Sequence, residues 1–103
     1  MKLNEFENNI TEKIVTAVYF SHDECNICKV LKPKVINLVD KYDDFGFIYV
    51  NTKESPDICG QHTVFTVPTV LVFVEGKESK RFSRNFAMRE LEELLDRYEQ
   101  MIG

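Results

Sequence analysis

Apolar residues in this chain fall into runs of two kinds, unbroken stretches and helically spaced sets. Ile14-Val15-Thr16-Ala17-Val18-Tyr19-Phe20 is nearly all apolar or β-branched, and Val67-Pro68-Thr69-Val70-Leu71-Val72-Phe73-Val74 is a second such stretch. Runs of this length and composition fit strands covered on both faces. Phe47-Ile48-Tyr49-Val50 is a shorter one. Elsewhere the apolar positions recur every three or four residues, which lines them along one face of a helix. Leu3, Phe6 and Ile10 do so near the start, and Val30, Leu31, Val35, Leu38 and Val39 between Cys25 and Tyr42. Met88, Leu91, Leu95, Tyr98 and Ile102 do so at the end.

The pattern predicts a short helix in the first dozen residues, a strand over 14–21 and a helix from about Cys25 to Tyr42. Pro33 lies inside that helix, and its missing N–H is expected to bend it. A strand follows over 47–50. Ser55-Pro56-Asp57 then opens a weakly patterned segment to Val64, read as a short helix. The strand over 67–74, a tight turn at Glu75-Gly76-Lys77 and a shorter, polar edge strand over 78–82 form a hairpin. The last helix is expected to start near Asn85 as its N-cap. The order is α-β-α-β-α-β-β-α. Strands separated by helices are expected to pair in parallel, with the hairpin adding one antiparallel strand. The fold class is α/β, a four-stranded mixed sheet with helices on both faces.

At 103 residues the chain forms one domain, 1–103, with room for a single core. A net charge of −4 argues against a nucleic-acid backbone as partner. Lys77, Lys80, Arg81 and Arg84 are read as a solvated hairpin and loop. The first twelve residues are polar and acidic, unlike a signal peptide, and no apolar run approaches the roughly 20 residues that span a bilayer. A cytoplasmic monomer without nucleic-acid or membrane partners is the expectation. Three cysteines, an odd number, do not suit a secreted disulfide framework.

The chemistry centres on Cys25-Asn26-Ile27-Cys28, where a predicted strand ends and a predicted helix begins. A thiol at a helix N-terminus sits beside unpaired N–H donors and the positive end of the dipole, which favours its thiolate. Two thiols three residues apart are neighbours there and can close and reopen a disulfide. In a reducing compartment such a pair serves catalysis or metal binding.

With these elements in this order, the chain resembles a thioredoxin over roughly residues 12–102. Lys29 follows the second cysteine, and Pro33 stands where thioredoxins kink the same helix. Thr66-Val67-Pro68-Thr69 stands where the family carries a cis-proline opposite its active site, and Glu75-Gly76-Lys77 at the turn of its last hairpin. The resemblance implies a three-layer thioredoxin-like sandwich, here without the usual first strand, and exchange of disulfides with protein substrates. It implies a reductase or small-molecule thiol as electron source and no bound cofactor. A cis bond before Pro68 would turn the Val67 backbone toward an extended substrate, making Val67 and Pro68 the expected substrate-binding pair.

The departures are equally specific. Glu24 precedes Cys25 where the family commonly has tryptophan, and the chain has no tryptophan. The family's buried aspartate falls on Tyr19, the lysine of the following strand near Phe47, and a late glycine near Arg84 or Asn85. Cys25, nearest the open loop, is expected to be the nucleophile and Cys28 the resolving thiol. A protonated His22 would favour the thiolate, whereas an exposed loop histidine would leave it unaffected. Asp23 and Glu24 would raise the thiol pKa if close, and Asp23 also suits a helix cap. Tyr19 reads as core filler sooner than proton relay, since a phenol near pKa 10 is a poor base at neutral pH. Two other functions fit the residues. Cys25, Cys28, Cys59 and His62 make a Cys₃His zinc set by spacing alone, and a thioredoxin-fold adaptor could bind without turnover.

Overall fold

The computed structural model describes residues 1–84 and 86–102; the expected cap Asn85 lies outside them. The elements are α1 (Leu3–Asn9), β1 (Val15–Ser21), α2 (Asn26–Val39), β2 (Phe45–Asn51), α3 (Pro56–Gln61), β3 (Thr69–Val74), β4 (Lys77–Ser83) and α4 (Met88–Ile102). The strands form one sheet in the order β2-β1-β3-β4. β1 runs parallel to β2, with Val15 opposite Phe45 and Ser21 opposite Asn51.

β3 departs from the parallel pairing expected of it. It lies antiparallel to β1, with Val18 opposite Leu71. The length of α3 explains this. Six helical residues rise about 9 Å, whereas the seven residues of β2 climb about 23 Å. The helix cannot return the chain to the starting end of the sheet, so β3 enters from the end where β2 stops. β4 then folds back through Glu75 and Gly76, whose φ angles of 52° and 81° are those of a two-residue hairpin turn.

Strand alternation splits the core into two clusters, one on each face. Ala17 and Tyr19 of β1 point into a cluster with Cys28, Val35, Leu38, Val70, Val72, Leu91 and Leu95, under α2 and α4. Val18 and Phe20 point the other way, to Phe6, Ile10, Ile58, Cys59, Leu71 and Phe73, under α1 and α3. Every residue of β1 is buried.

Two helical faces differ from expectation. In α2 the buried stripe is Cys28, Val35, Leu38 and Val39 with Leu31 half-buried, and Val30 is 63% exposed. Val30 sits a hundred degrees around the helix from Leu31, off the stripe. In α4 Leu94 is buried and Ile102 is exposed, because the sheet ends before the last turn does. α4 begins at Met88, where Glu90 Oε1 accepts the Ala87 N–H at 3.0 Å, the return half of a capping box.

Candidate active site

β1 ends at Ser21, and only four residues, His22 to Cys25, separate it from α2. His22 shapes that turn. Its carbonyl accepts the Cys25 N–H at 3.2 Å and its Nδ1 accepts the Glu24 N–H at 3.2 Å. Neither contact involves a sulfur. The N-cap of α2 is Cys25 and not Asp23. Its backbone is extended, and its Sγ accepts the Cys28 N–H at 3.2 Å. Sulfur here does what a Ser or Asp oxygen does at other helix starts.

Cys25 and Cys28 are joined by a disulfide with their Cα atoms 5.2 Å apart. Cys25 is half-buried, while Cys28 is 1% exposed. The Cys28 N–H and the N-terminus of α2 both face Cys25 Sγ, a position where a helix start favours negative charge.

Tyr19 lies directly beneath. It is fully buried, and its hydroxyl donates to the Cys28 carbonyl at 2.7 Å. Burial, aided by the neighbouring Tyr49 hydroxyl, pushes its pKa up to about 12. The phenol is therefore a fixed donor at neutral pH, tying the first turn of α2 to β1. Phe47 and Tyr49 each stack beside it at 6.5 Å, and Tyr49 is its partner in the strand register. One cation of this region comes from α2, where Lys32 Nζ lies 3.8 Å from the centre of the Tyr49 ring.

The Val67–Pro68 bond is cis. Val67 packs on the same cluster as Cys25 and lines a cavity of about 320 Å³ with His22, Thr52, Pro56, Cys59, Val64 and Phe65. Phe65 at its rim is 80% exposed. Ile27, between the two cysteines, is 71% exposed, and Val30 stands one turn further along the same side of α2. These exposed apolar side chains were not legible beforehand, because helical spacing reports only which residues share a face.

Cys59 and His62 lie on and just after α3, on the opposite face from Cys28. Burial foremost raises the Cys59 thiol. His62 packs edge-on against Phe6 and Phe73, its buried Nε2 has no hydrogen-bond partner among the described residues, and burial lowers its pKa. Among the described residues no three His, Cys, Asp or Glu side chains converge to hold a metal. The Cys₃His set is not assembled: the sheet stands between its two halves.

The family model for thioredoxin matches residues 1–97. The chain belongs to the thioredoxin family. Among curated proteins it is 28% identical over 95 residues to the thioredoxin-like protein YdfQ of Bacillus subtilis, covering 92% of this chain and 85% of that one. It is 31% identical over 96 residues to the mitochondrial thioredoxin-2 of Schizosaccharomyces pombe, covering 93% and 71%. Among solved structures, thioredoxin 1 of Thermosipho africanus superposes with a TM-score of 0.79 at 34% identity, over 84% of this chain and 96% of that one. The four-stranded sheet with flanking helices is the thioredoxin fold, and the paired Cys25 and Cys28 make this member a thiol–disulfide oxidoreductase.

Proposed function

We propose that Cys25 is the attacking sulfur and Cys28 the resolving one in exchange with protein disulfides. The observation that carries this reading is their unequal exposure across one bond: Cys25 half-open at the helix mouth, Cys28 sealed beneath it. In the reduced protein, the Cys25 thiolate attacks one sulfur of a substrate disulfide. A mixed disulfide forms, and the other substrate sulfur leaves as a thiolate that takes a proton from water. Cys28 then gives up its proton and attacks Cys25 Sγ. The second substrate thiolate departs and the Cys25–Cys28 bond closes, so two electrons have passed to the substrate. A reductase or a small-molecule thiol returns them.

The substrate segment docks beside Val67 and Pro68, with Ile27, Val30 and Phe65 supplying apolar contact around the sulfur and the neighbouring cavity taking a side chain. His22 acts on the turn that carries Cys25, and Tyr19 on the carbonyl of Cys28, so both are positioning residues. No described helix is long and apolar enough to cross a membrane. A dithiol working in both directions suits a reducing compartment such as the cytoplasm.

Insulin reduction driven by dithiothreitol tests the assignment. Wild type accelerates it, and Cys28→Ala falls to the background rate. Equal rates in the two proteins remove Cys28 from the cycle, and no acceleration by wild type leaves the adaptor reading in its place. Val67→Asp is expected to lose turnover while keeping its circular dichroism spectrum; full turnover would move the docking site elsewhere.

A further inference from the structure

Arg81 is not the solvated hairpin charge expected of it. Lys77, Lys80 and Arg84 are exposed, but Arg81 is half-buried and donates four hydrogen bonds. Two go to Glu78, from Nε to Oε2 and from Nη2 to Oε1, each at 2.9 Å. The other two go to carbonyls of the chain leaving α3, from Nη1 to Thr63 and from Nη2 to His62, each at 2.8 Å. A guanidinium is a planar fork, so holding a carboxylate side-on fixes where its remaining N–H groups aim.

An irregularity in β4 makes this grip possible. Residues three apart on a regular strand point to opposite faces of the sheet. Here the ladder pairs Val72 with Lys80 but Phe73 with Glu78, so Ser79 is left over as a bulge that resets the alternation. Arg81 then stands opposite Leu71 and Glu78 opposite Phe73, and both partners belong to the cluster under α1 and α3. Acid and base share the face on which α3 ends.

The two carbonyls they hold flank a strained point. Thr63 has a φ of 56°, a left-handed conformation that β-branched residues rarely adopt and that surrounding contacts must enforce. From Thr63 the chain runs straight to Val64, Phe65 and Val67, three walls of the cavity beside the cis bond. The far end of this loop is also held from β4, where the Arg84 N–H just past the strand donates to the Pro68 carbonyl at 2.9 Å.

We propose that Arg81, aimed by Glu78, is a positioning residue for disulfide exchange: it fixes the Thr63 kink, and with it the wall on which a protein substrate docks. This rests on the docking of substrate beside Val67 and Pro68 proposed above. Arg81 acts through the loop and touches neither sulfur. Its effect is therefore confined to substrates that use the wall.

Insulin reduction at varied insulin concentration tests this, with Arg81→Lys, Glu78→Gln and Val67→Asp beside wild type and circular dichroism reporting the fold of each. Lysine keeps the charge but cannot hold a carboxylate and two carbonyls from one plane. Arg81→Lys is expected to raise KM about ten-fold with kcat within about two-fold, and Glu78→Gln to raise it about three-fold. Reduced Arg81→Lys and Glu78→Gln should both react with dipyridyl disulfide, which has no peptide segment, at the wild-type rate. If Arg81→Lys does not fold, Glu78→Gln carries the same test with the guanidinium in place. An unchanged KM while Val67→Asp loses turnover overturns the role of Arg81 alone. Dipyridyl disulfide and insulin rates falling together also overturn it, since Arg81 would then support the fold and not the wall. Full turnover by Val67→Asp removes the docking site and this proposal with it.

Discussion

Each face of the sheet buries a cysteine beside a titratable ring, and the two cysteines have different chemistry. Under α2, Cys28 is 1% exposed, bonded to Cys25, and its carbonyl is held by the Tyr19 hydroxyl. Under α3, Cys59 is 7% exposed and free, and nearby His62 leaves its Nε2 unpaired among the described residues. Burial alone therefore does not make a sulfur reactive. On the α2 face the helix start and a tethered partner give the sulfur pair a charge-stabilising environment. On the α3 face the same atom packs as a small hydrophobe, its thiol held protonated by desolvation.

The sharpest break in this comparison comes from swapping the sulfurs one at a time. Cys28→Ser should stop multiple turnover in insulin reduction and leave Cys25 locked in mixed disulfides visible by mass spectrometry. Cys59→Ser, which alters only one wall of the cavity beside Val67, should keep multiple turnover. A Cys59→Ser variant as inactive as Cys28→Ser would erase the distinction between the faces.

Next in size is stability on the α3 face. Phe6 is fully buried and edge-on to both His62 and Phe73. Phe6→Ala should cost about 3–5 kcal/mol in urea unfolding. The potential of the Cys25–Cys28 couple should stay where it is, since the sheet separates the two.

Tyr19→Phe sharpens the comparison from the other side. It removes one buried hydrogen bond and little volume, so stability should fall by about 1 kcal/mol. Its distinguishing readout is the potential against glutathione. A change of about 1.4 kcal/mol between the two redox forms corresponds to roughly 30 mV, so a bond that differs between them shifts the couple on that scale. An unchanged potential would reduce Tyr19 to packing.

The smallest effects lie in the pH profile, and the two faces fail at opposite ends. His62 has a lowered folded pKa, so its neutral form favours the native state. That contribution is whole above about pH 6.5 and is lost as pH falls further. Tyr19 has a raised one, so its contribution is whole below about pH 10 and is lost as pH climbs through about 12. Thermal melts should show His62→Phe flattening the acid limb and Tyr19→Phe the alkaline limb. Neither substitution moving its own limb would mean that other groups govern both.

Much of this was legible along the chain because it depends on near neighbours. The strands at 14–21 and 67–74, the helix after Cys25 and the turn at Glu75-Gly76 follow from local pattern, and the structure places elements at each. β2 proved longer than its apolar centre, since Phe45 and Gly46 extend the ladder. The Asp23 cap failed because Cys25 Sγ reaches the free N–H first. Val30 was assigned to the core because a helical pattern is broad enough to include a residue at the margin of its face. The antiparallel entry of β3 was missed because pairing direction depends on where the chain can reach.

The sequence alone determined that two thiols stand three residues apart at a strand-to-helix junction, because that is a matter of local order and backbone periodicity. It equally determined that a third cysteine follows Pro56 on a short helix. Which sulfur is open, which is sealed and which is left unbonded was decided only when the sheet put α2 and α3 on opposite faces. The tyrosine hydroxyl beneath Cys28 and the apolar rim of Ile27, Val30 and Phe65 arise the same way. Each needs segments far apart in the chain to meet, and spacing along one segment carries no information about its distant neighbour.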